Sequence, residues 1–339
     1  MKKIIILSIL ILLLSGCGSE KNEVNILNWS SYIPDEVLRD FERETGIKVN
    51  YNTYSSNEEC LAKLQAAKSG TYDLVFPSDY LVELLIQKEM IQKLDKTKLN
   101  NIDNLNTNYL NLEYDPNNEY SLPFLAASVV IIYDEDFVNG EIDSYDDLLN
   151  PKYKNNIVLL DDQRIIIGMA LLALGYDMND TNDEHLEEAK EWLLTLKPNI
   201  KAFDSDSPKT FMITKETKIG VIWNAEAGLA MNEVDGLKVV YPEEGFNISV
   251  DNFTIPVNAK NLDNAYKFID YILRADVMQK IIEDYPYKNM NLKTQELLSD
   301  TYLNNIATNI PDDYFKEGIF VKNIDDAIVK YDKVWASIK

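Results

Sequence analysis

The sequence predicts an α/β protein of two lobes, each a mixed, mostly parallel sheet flanked by helices. Three observations carry this. At 339 residues the chain is longer than a usual single core supports, so two lobes are expected. Its first third alternates apolar strands with amphipathic helices in the order β-α-β-α-β, which calls for a parallel sheet covered by helices. Its second half repeats that alternation with new elements, without an internal repeat or a Gly/Ser- or Pro-rich linker.

"VNILNW" (24–29) is a short apolar strand, and "PDEVLRDFERETG" an amphipathic helix stopped by Gly46. "IKVNYNTY" (47–54) is the second strand. "SNEECLAKLQAAKSG" is a helix opened by Ser56 and closed by Gly70; "YDLVFPS" is a buried strand and "DYLVELLIQKEM" a further helix. In the second half "NNIVLLDD" (155–162) runs into the helix "QRIIIGMALLALGY", followed by the acidic amphipathic helix "DEHLEEAKEWLLTLKPN". "KIGVIWN" is a strand running into "AEAGLAMNE". After "VDNFTIPVNAK" (250–260), one long helical stretch "LDNAYKFIDYILRADVMQKIIEDYP" is expected on the first lobe, and "DDAIVKYDKVWASIK" closes the second.

The amino terminus is read as processing rather than fold. Lys2 and Lys3 precede the apolar run "IIILSILILLLSGC", which suits the h-region of an export signal better than a membrane span. Its end, Leu14-Ser15-Gly16-Cys17, resembles the bacterial lipobox. That resemblance implies a lipoprotein signal peptide over 1–16, lipidation of Cys17, a tether over 17–23 and a body that is extracytoplasmic, lipid-anchored to the cell membrane. Two acyl chains on one glyceryl group suffice for stable anchoring.

Composition then excludes several functions. Asp+Glu outnumber Lys+Arg by 56 to 33, for a net charge of -23; such a surface repels nucleic acid and favours cations. With Cys17 taken, Cys60 has no intramolecular partner and reads as a buried small apolar residue. The only histidine, His185, stands among acids on a solvated helix, which leaves no His-rich metal site and expects no metal and no cofactor. No GxSxG, HExxH, Walker loop or GxGxxG is present, so the chain is not expected to be an enzyme.

Ligands of such sheets bind where strands end and helices begin. The residues with chemistry at those edges are Trp29, Tyr32, Ser78, Asp79, Tyr80, Asp161, Asp162, Trp223, Asn224, Glu226, Asp251 and Tyr287. Aromatic faces and carboxylates recur there, and no Arg or Lys cluster stands among them. Protonated amines want this pair of groups: each aromatic face attracts an ammonium by ~0.5–2 kcal/mol, and a hydrogen bond to a charged group contributes ~1.5–3 kcal/mol. Carboxylates at the ends of a cleft and aromatics along its walls fit a linear polycation.

The strings "LNWSSYIP", "FERETGIKVNYNTYSSNE", "YDLVFPSDYLV", "MIQKLDKTKL", "YDPNNEYSLPF", "LLDDQR", "VIWNAEAG" and "FTIPVNAKN" together resemble the spermidine/putrescine-binding subunits of bacterial polyamine ABC importers, from about residue 24 to the end. The resemblance implies a two-lobed periplasmic-binding-protein fold of type II with a ligand cleft between the lobes. It also implies two crossing strands as hinge, and a monomer that hands its polyamine to permease subunits. The expected first lobe is 24–130 with 251–295, and the second 131–250 with 296–339. Carried over by motif, Trp29 and Tyr32 match the cleft aromatics of NWxxY, and Ser78 and Tyr80 match PSxY. Asp162 matches the acid of the DD turn, Trp223 the aromatic of IWN, Asp251 the acid before the AIP-like strand, and Tyr287 the late aromatic.

Four positions depart from the pattern. Ser31 and Ile165 stand where spermidine binders carry acids, Ser249 replaces an aromatic, and Val321 falls where a polar contact is common. Glu226 matches an acid of putrescine-preferring relatives and is expected to hold one ammonium with Asp251, while Asp162 or Asp79 holds another; putrescine against spermidine stays open. Two alternatives are a same-fold carrier of another small cationic solute, and an exported hydrolase using Asp162 and Asp251 as a carboxylate pair.

Overall fold

The computed structural model describes residues 22–339, so the expected signal peptide and Cys17 lie outside the described residues. Among those described, no helix is long and apolar enough to cross a membrane.

β1 (Glu23–Trp29) pairs in parallel with β2 (Lys48–Tyr54) along its whole length and with β3 (Leu74–Val75). The intervening α1 (Asp35–Thr45) buries Val37 and Phe41, one turn apart, and ends where Gly46 takes a left-handed φ of 69° and returns its N–H to Glu42. Phe41 packs edge-on to Phe268 and Tyr271 at 5.0 and 5.2 Å, where truncation to alanine costs about 3–5 kcal/mol. In α2 (Asn57–Ala66) the Ser56 hydroxyl accepts the Glu59 N–H, and Cys60 is fully buried. This helix stops at Ala66, short of the expected Gly70. α3 (Asp79–Gln87) follows β3.

β4 (Ser121–Asp134) is the axis of the molecule. Its apolar and small residues run without alternation because both faces are covered, so no period marked it in the sequence. β5 (Ile157–Leu159) leads into α4 (Gln163–Ala173) and α5 (Asp183–Leu196). β6 (Ile200–Phe203) and β7 (Ile219–Trp223) follow, then α6 (Asn224–Glu233), β8 (Leu237–Val240) and β9 (Asn247–Thr254). β5 pairs in parallel with β6 and β7. β4 spends Ser121–Ser128 antiparallel to β9, then Val129–Tyr133 antiparallel to β7, with β8 on its other edge. One strand therefore enters both halves of the sheet, whose order is β2-β1-β3-β9-β4-β7-β5-β6.

The helical stretch after 261 is two helices, α7 (Leu262–Ile272) and α8 (Ala275–Asp284), not one. Arg274 is extended at φ −67°, ψ 138°, its guanidinium held by Glu44 and Asp276. The Asn104 and Asn291 amides donate to the freed Leu273 carbonyl, so tertiary partners replace the continuing helix. β10 (Lys288–Asn289) adds to β4, β11 (Ile319–Phe320) adds to β9, and α9 (Ile328–Ile338) ends the chain.

Two main cores result. One gathers Phe41, Phe76, Phe124, Phe253 and Phe268 around β1, β3 and the first part of β4. The other gathers Ile131, Ile157, Ile166, Leu193 and Tyr331 around the second part. Leu298 and Tyr302, beyond the boundary expected at 295, pack in the first core.

Candidate functional site: an acidic aromatic cleft

A cleft of ≈ 890 Å³, its open mouth included, is lined by residues of both cores and by the crossing strands, a size typical of small-molecule sites. It brings together Trp29, Tyr32, Ser78, Asp79, Tyr80, Asp162, Trp223, Glu226, Asp251 and Tyr287, with the four departing positions Ser31, Ile165, Ser249 and Val321. Asp161 turns away to pair with Lys339 at 2.6 Å. Asn224 is spent on the Ser128 N–H and the Ala307 carbonyl, which ties α6 to β4.

Asp251 is the most heavily prepared group. It is 4% exposed. Its Oδ1 accepts from Trp29 Nε1 at 3.0 Å and from Ser78 Oγ at 2.6 Å, and its Oδ2 from the Tyr32 hydroxyl. Burial pushes its carboxyl up to about 6 against these three donors. Burial and the nearby Asp251 raise the Tyr32 hydroxyl well above the usual phenol range, so it stays a donor. Trp29 and Tyr32 thus answer to chemistry as well as packing: their polar tips fix the carboxylate, while their rings lie 4.6 Å from Tyr54 and 4.9 Å from Tyr287.

Asp79 lies beside Asp251, and its oxygens are taken by backbone: Oδ1 by the Tyr80 N–H and Oδ2 by the Val250 N–H, both at 2.8 Å. It pins α3 to β9, and burial pushes it up to about 7. Ser78, at the cap position of α3, makes no side-chain cap because its hydroxyl serves Asp251.

The opposite wall comes from the second core. Asp162 caps α4, its Oδ1 accepting the N–H groups of Arg164 and Ile165 at 2.9 and 3.1 Å. Burial first, then repulsion from Glu58, pushes it up to about 6. Tyr80 donates to Glu58 at 2.8 Å and packs against the second core and against a smaller cluster of Leu27, Tyr54 and Leu81 on the β1–β3 side, so the two walls touch there. Trp223 ends β7 directly before α6.

No Arg or Lys cluster is expected among these groups, and the fold sets two single cations beside them. Arg164 lines the cleft, its guanidinium bound to Asn179 and the Lys322 carbonyl over the Tyr331 ring. Lys209 donates to both oxygens of Glu226 at 2.8 and 2.9 Å. Glu226 is only 7% exposed; burial raises its carboxyl and Lys209 opposes that rise. The ammonium expected there from a ligand is thus supplied by the chain itself. No local motif announces Lys209, which reaches Glu226 through tertiary structure. Sequence reading also missed Asn247, although counting back by twos from Asp251 along a strand would have found it. Among the described residues no cluster of His, Cys, Asp or Glu could hold a metal ion.

Against known proteins, the family profile described as "Bacterial extracellular solute-binding protein" matches residues 36–308. The chain is 39% identical over 323 residues to the spermidine/putrescine-binding periplasmic protein of Salmonella typhimurium, covering 95% of this chain and 93% of that one. It is 33% identical over 346 residues to the putrescine-binding periplasmic protein PotF of Escherichia coli, covering 95% and 92%. A solved structure of a putative spermidine/putrescine ABC transporter from Listeria monocytogenes superposes with a TM-score of 0.89 at 33% identity, covering 94% and 98%.

Proposed function

The chain belongs to the bacterial extracellular solute-binding proteins, and we propose that it captures a linear polyamine, putrescine or spermidine, and delivers it to an ABC importer. The observation that carries this is the buried Asp251 carboxylate, aimed into an aromatic cleft and oriented by Trp29, Tyr32 and Ser78. A carboxylate desolvated in this way is held at a cost that a cation relieves.

In this reading one ammonium binds Asp251, another binds the free oxygen of Asp162, and the methylene chain lies against Trp29, Tyr80, Trp223 and Tyr287. Ser31, Ile165, Ser249 and Val321 leave the walls less acidic and roomier than the polyamine pattern. Lobe closure over the ligand is favoured only by contacts made in the closed form; the Tyr80–Asp162 side of the cleft supplies them. The lobes are 24–130 with 251–295 and 131–250 with 296–339, except that Leu298 and Tyr302 pack with the first, and the hinge is β4 and β9. The protein is extracytoplasmic. It acts as a monomer, tethered through lipidated Cys17, and docks on permease subunits whose partners hydrolyse ATP. As a transporter's solute-binding protein it performs no catalysis, which removes the hydrolase alternative.

A second reading, another small cationic solute, is favoured by one observation: Lys209 already neutralises Glu226. Isothermal titration calorimetry of residues 18–339 against putrescine, cadaverine, spermidine and spermine decides. A micromolar or tighter dissociation constant, about −8 kcal/mol, supports a polyamine carrier. Absence of heat from all four in folded, ligand-free protein refutes it. Cys17→Ser should release the protein from membranes; retention would refute the anchor.

A further inference from the structure

We propose that Asn247 is a ligand-binding residue, its amide oxygen accepting an N–H of the amine farthest from Asp251 in a bound triamine. The proposal rests on the polyamine reading above and specifies which ligand length the cleft is cut for.

Side chains two apart on a strand share a face, and Asn247, Ser249 and Asp251 of β9 all line the cleft. The intervening Ile248 and Val250 are fully buried on the other face. β9 thus presents a neutral amide, a hydroxyl and a carboxylate in line. Asn247 is 2% exposed. Its Nδ2 donates to the carbonyls of Ile248 and Ile319 at 3.1 and 3.3 Å. Two carbonyl partners fix the orientation, since turning the amide over would set oxygen against oxygen. The atom left over on this cleft-lining residue is therefore Oδ1, and it is buried without a hydrogen-bond partner. Buried acceptors in native proteins are almost always satisfied, and this one wants a donor. Two other donors at the cleft are engaged elsewhere: Ser78 serves Asp251, and Lys209 is committed to Glu226.

The spacing favours a long ligand. At a rise of about 3.3 Å per residue, Asn247 and Asp251 stand roughly 13 Å apart along the strand. Three bonds of extended chain advance about 3.8 Å, so the nine bonds between the end nitrogens of spermidine span roughly 11 Å, and the five of putrescine only about 6 Å. Only the triamine reaches both positions. A neutral oxygen accepts from a protonated amine without adding a second buried charge, which suits a cleft whose acid Glu226 is already paired.

The test is calorimetry on wild type and Asn247→Ala with spermidine and putrescine. The expected result is a loss of at least tenfold for spermidine and less than threefold for putrescine. Equal losses for both ligands, or no loss for either, overturn the proposal; the second would mean that water satisfies Oδ1. Wild type binding neither amine would overturn the polyamine reading itself, an outcome separate from an Asn247→Ala variant that matches a binding wild type. Because the alanine also surrenders two bonds within the fold, the wild-type Asn247 side-chain amide is followed in parallel by 15N NMR. Spermidine should shift its resonances and putrescine should leave them in place; identical shifts with both would overturn the assignment.

Discussion

Replacing Asp251 with asparagine separates the charge of the site from its shape. An asparagine oxygen in the place of Oδ1 keeps the Trp29 and Ser78 donors, and its NH2 group, in the place of Oδ2, can donate to a Tyr32 hydroxyl turned to accept. The cleft should keep its form and lose its buried anion. Removing one partner of a desolvated ion pair costs about 2–5 kcal/mol, so polyamine affinity should fall roughly 30-fold or more at 1.4 kcal/mol per decade. The ligand-free protein should respond in the opposite sense. The carboxyl stands at about 6 in the fold against 3.8, so its ionised form is disfavoured there by up to about 3 kcal/mol at 1.36 kcal/mol per pKa unit. With the folded value raised, this penalty is fully present above about pH 6, shrinks as pH falls, and is gone below 3.8. Asp251→Asn should therefore raise the unfolding free energy at pH 8 and leave it nearly unchanged at pH 4. Calorimetric titration and denaturant melts at both pH values check the two halves. Binding within threefold of wild type, or no gain in ligand-free stability at pH 8, would refute the account of Asp251 as a desolvated anion held for a cation.

The first lobe was legible because its elements carry local signals. Val37 and Phe41 sit one helical turn apart, Gly46 stops α1 in the left-handed region, and Ser56 caps α2. β4 carried no such signal: buried on both faces, it has no polar face to set a period, yet it joins the halves. The break at Arg274 was equally hidden, because Glu44, Asn104 and Asn291 that support it lie far away in sequence. In the cleft, the edge rule and the family motifs brought Trp29, Tyr32, Asp162, Trp223 and Asp251 to one place, since strand ends can be read from the chain. The charge state of the place could not be read. Glu226 looks like a free acid in "WNAE" until the fold sets Lys209 on it, and pairing across separate elements leaves no trace in either segment.

Three further outcomes follow from this geometry. Trp223→Ala removes one aromatic wall and should weaken polyamine binding about 2- to 30-fold, the range of one cation–π contact at ~0.5–2 kcal/mol; unchanged affinity in titration would place the ligand away from β7. Lys209→Met should free both oxygens of Glu226 and strengthen spermidine binding measurably above pH 7; an unaltered constant would mean that Glu226 never faces the ligand. The last outcome concerns pH. Asp162 and Asp251 both stand at about 6 in the ligand-free fold, while alkylammonium groups stay protonated to about pH 10. A dication that needs both carboxylates ionised must expel whatever protons they hold. At pH 8 they hold almost none, and at pH 5 each is roughly nine-tenths protonated, so the association constant should fall about 100-fold between the two. The protons released should appear as a binding heat that depends on the buffer's ionisation enthalpy at pH 5 and not at pH 8. A flat affinity across that range would mean that the ligand's charges are met by groups other than these two carboxylates.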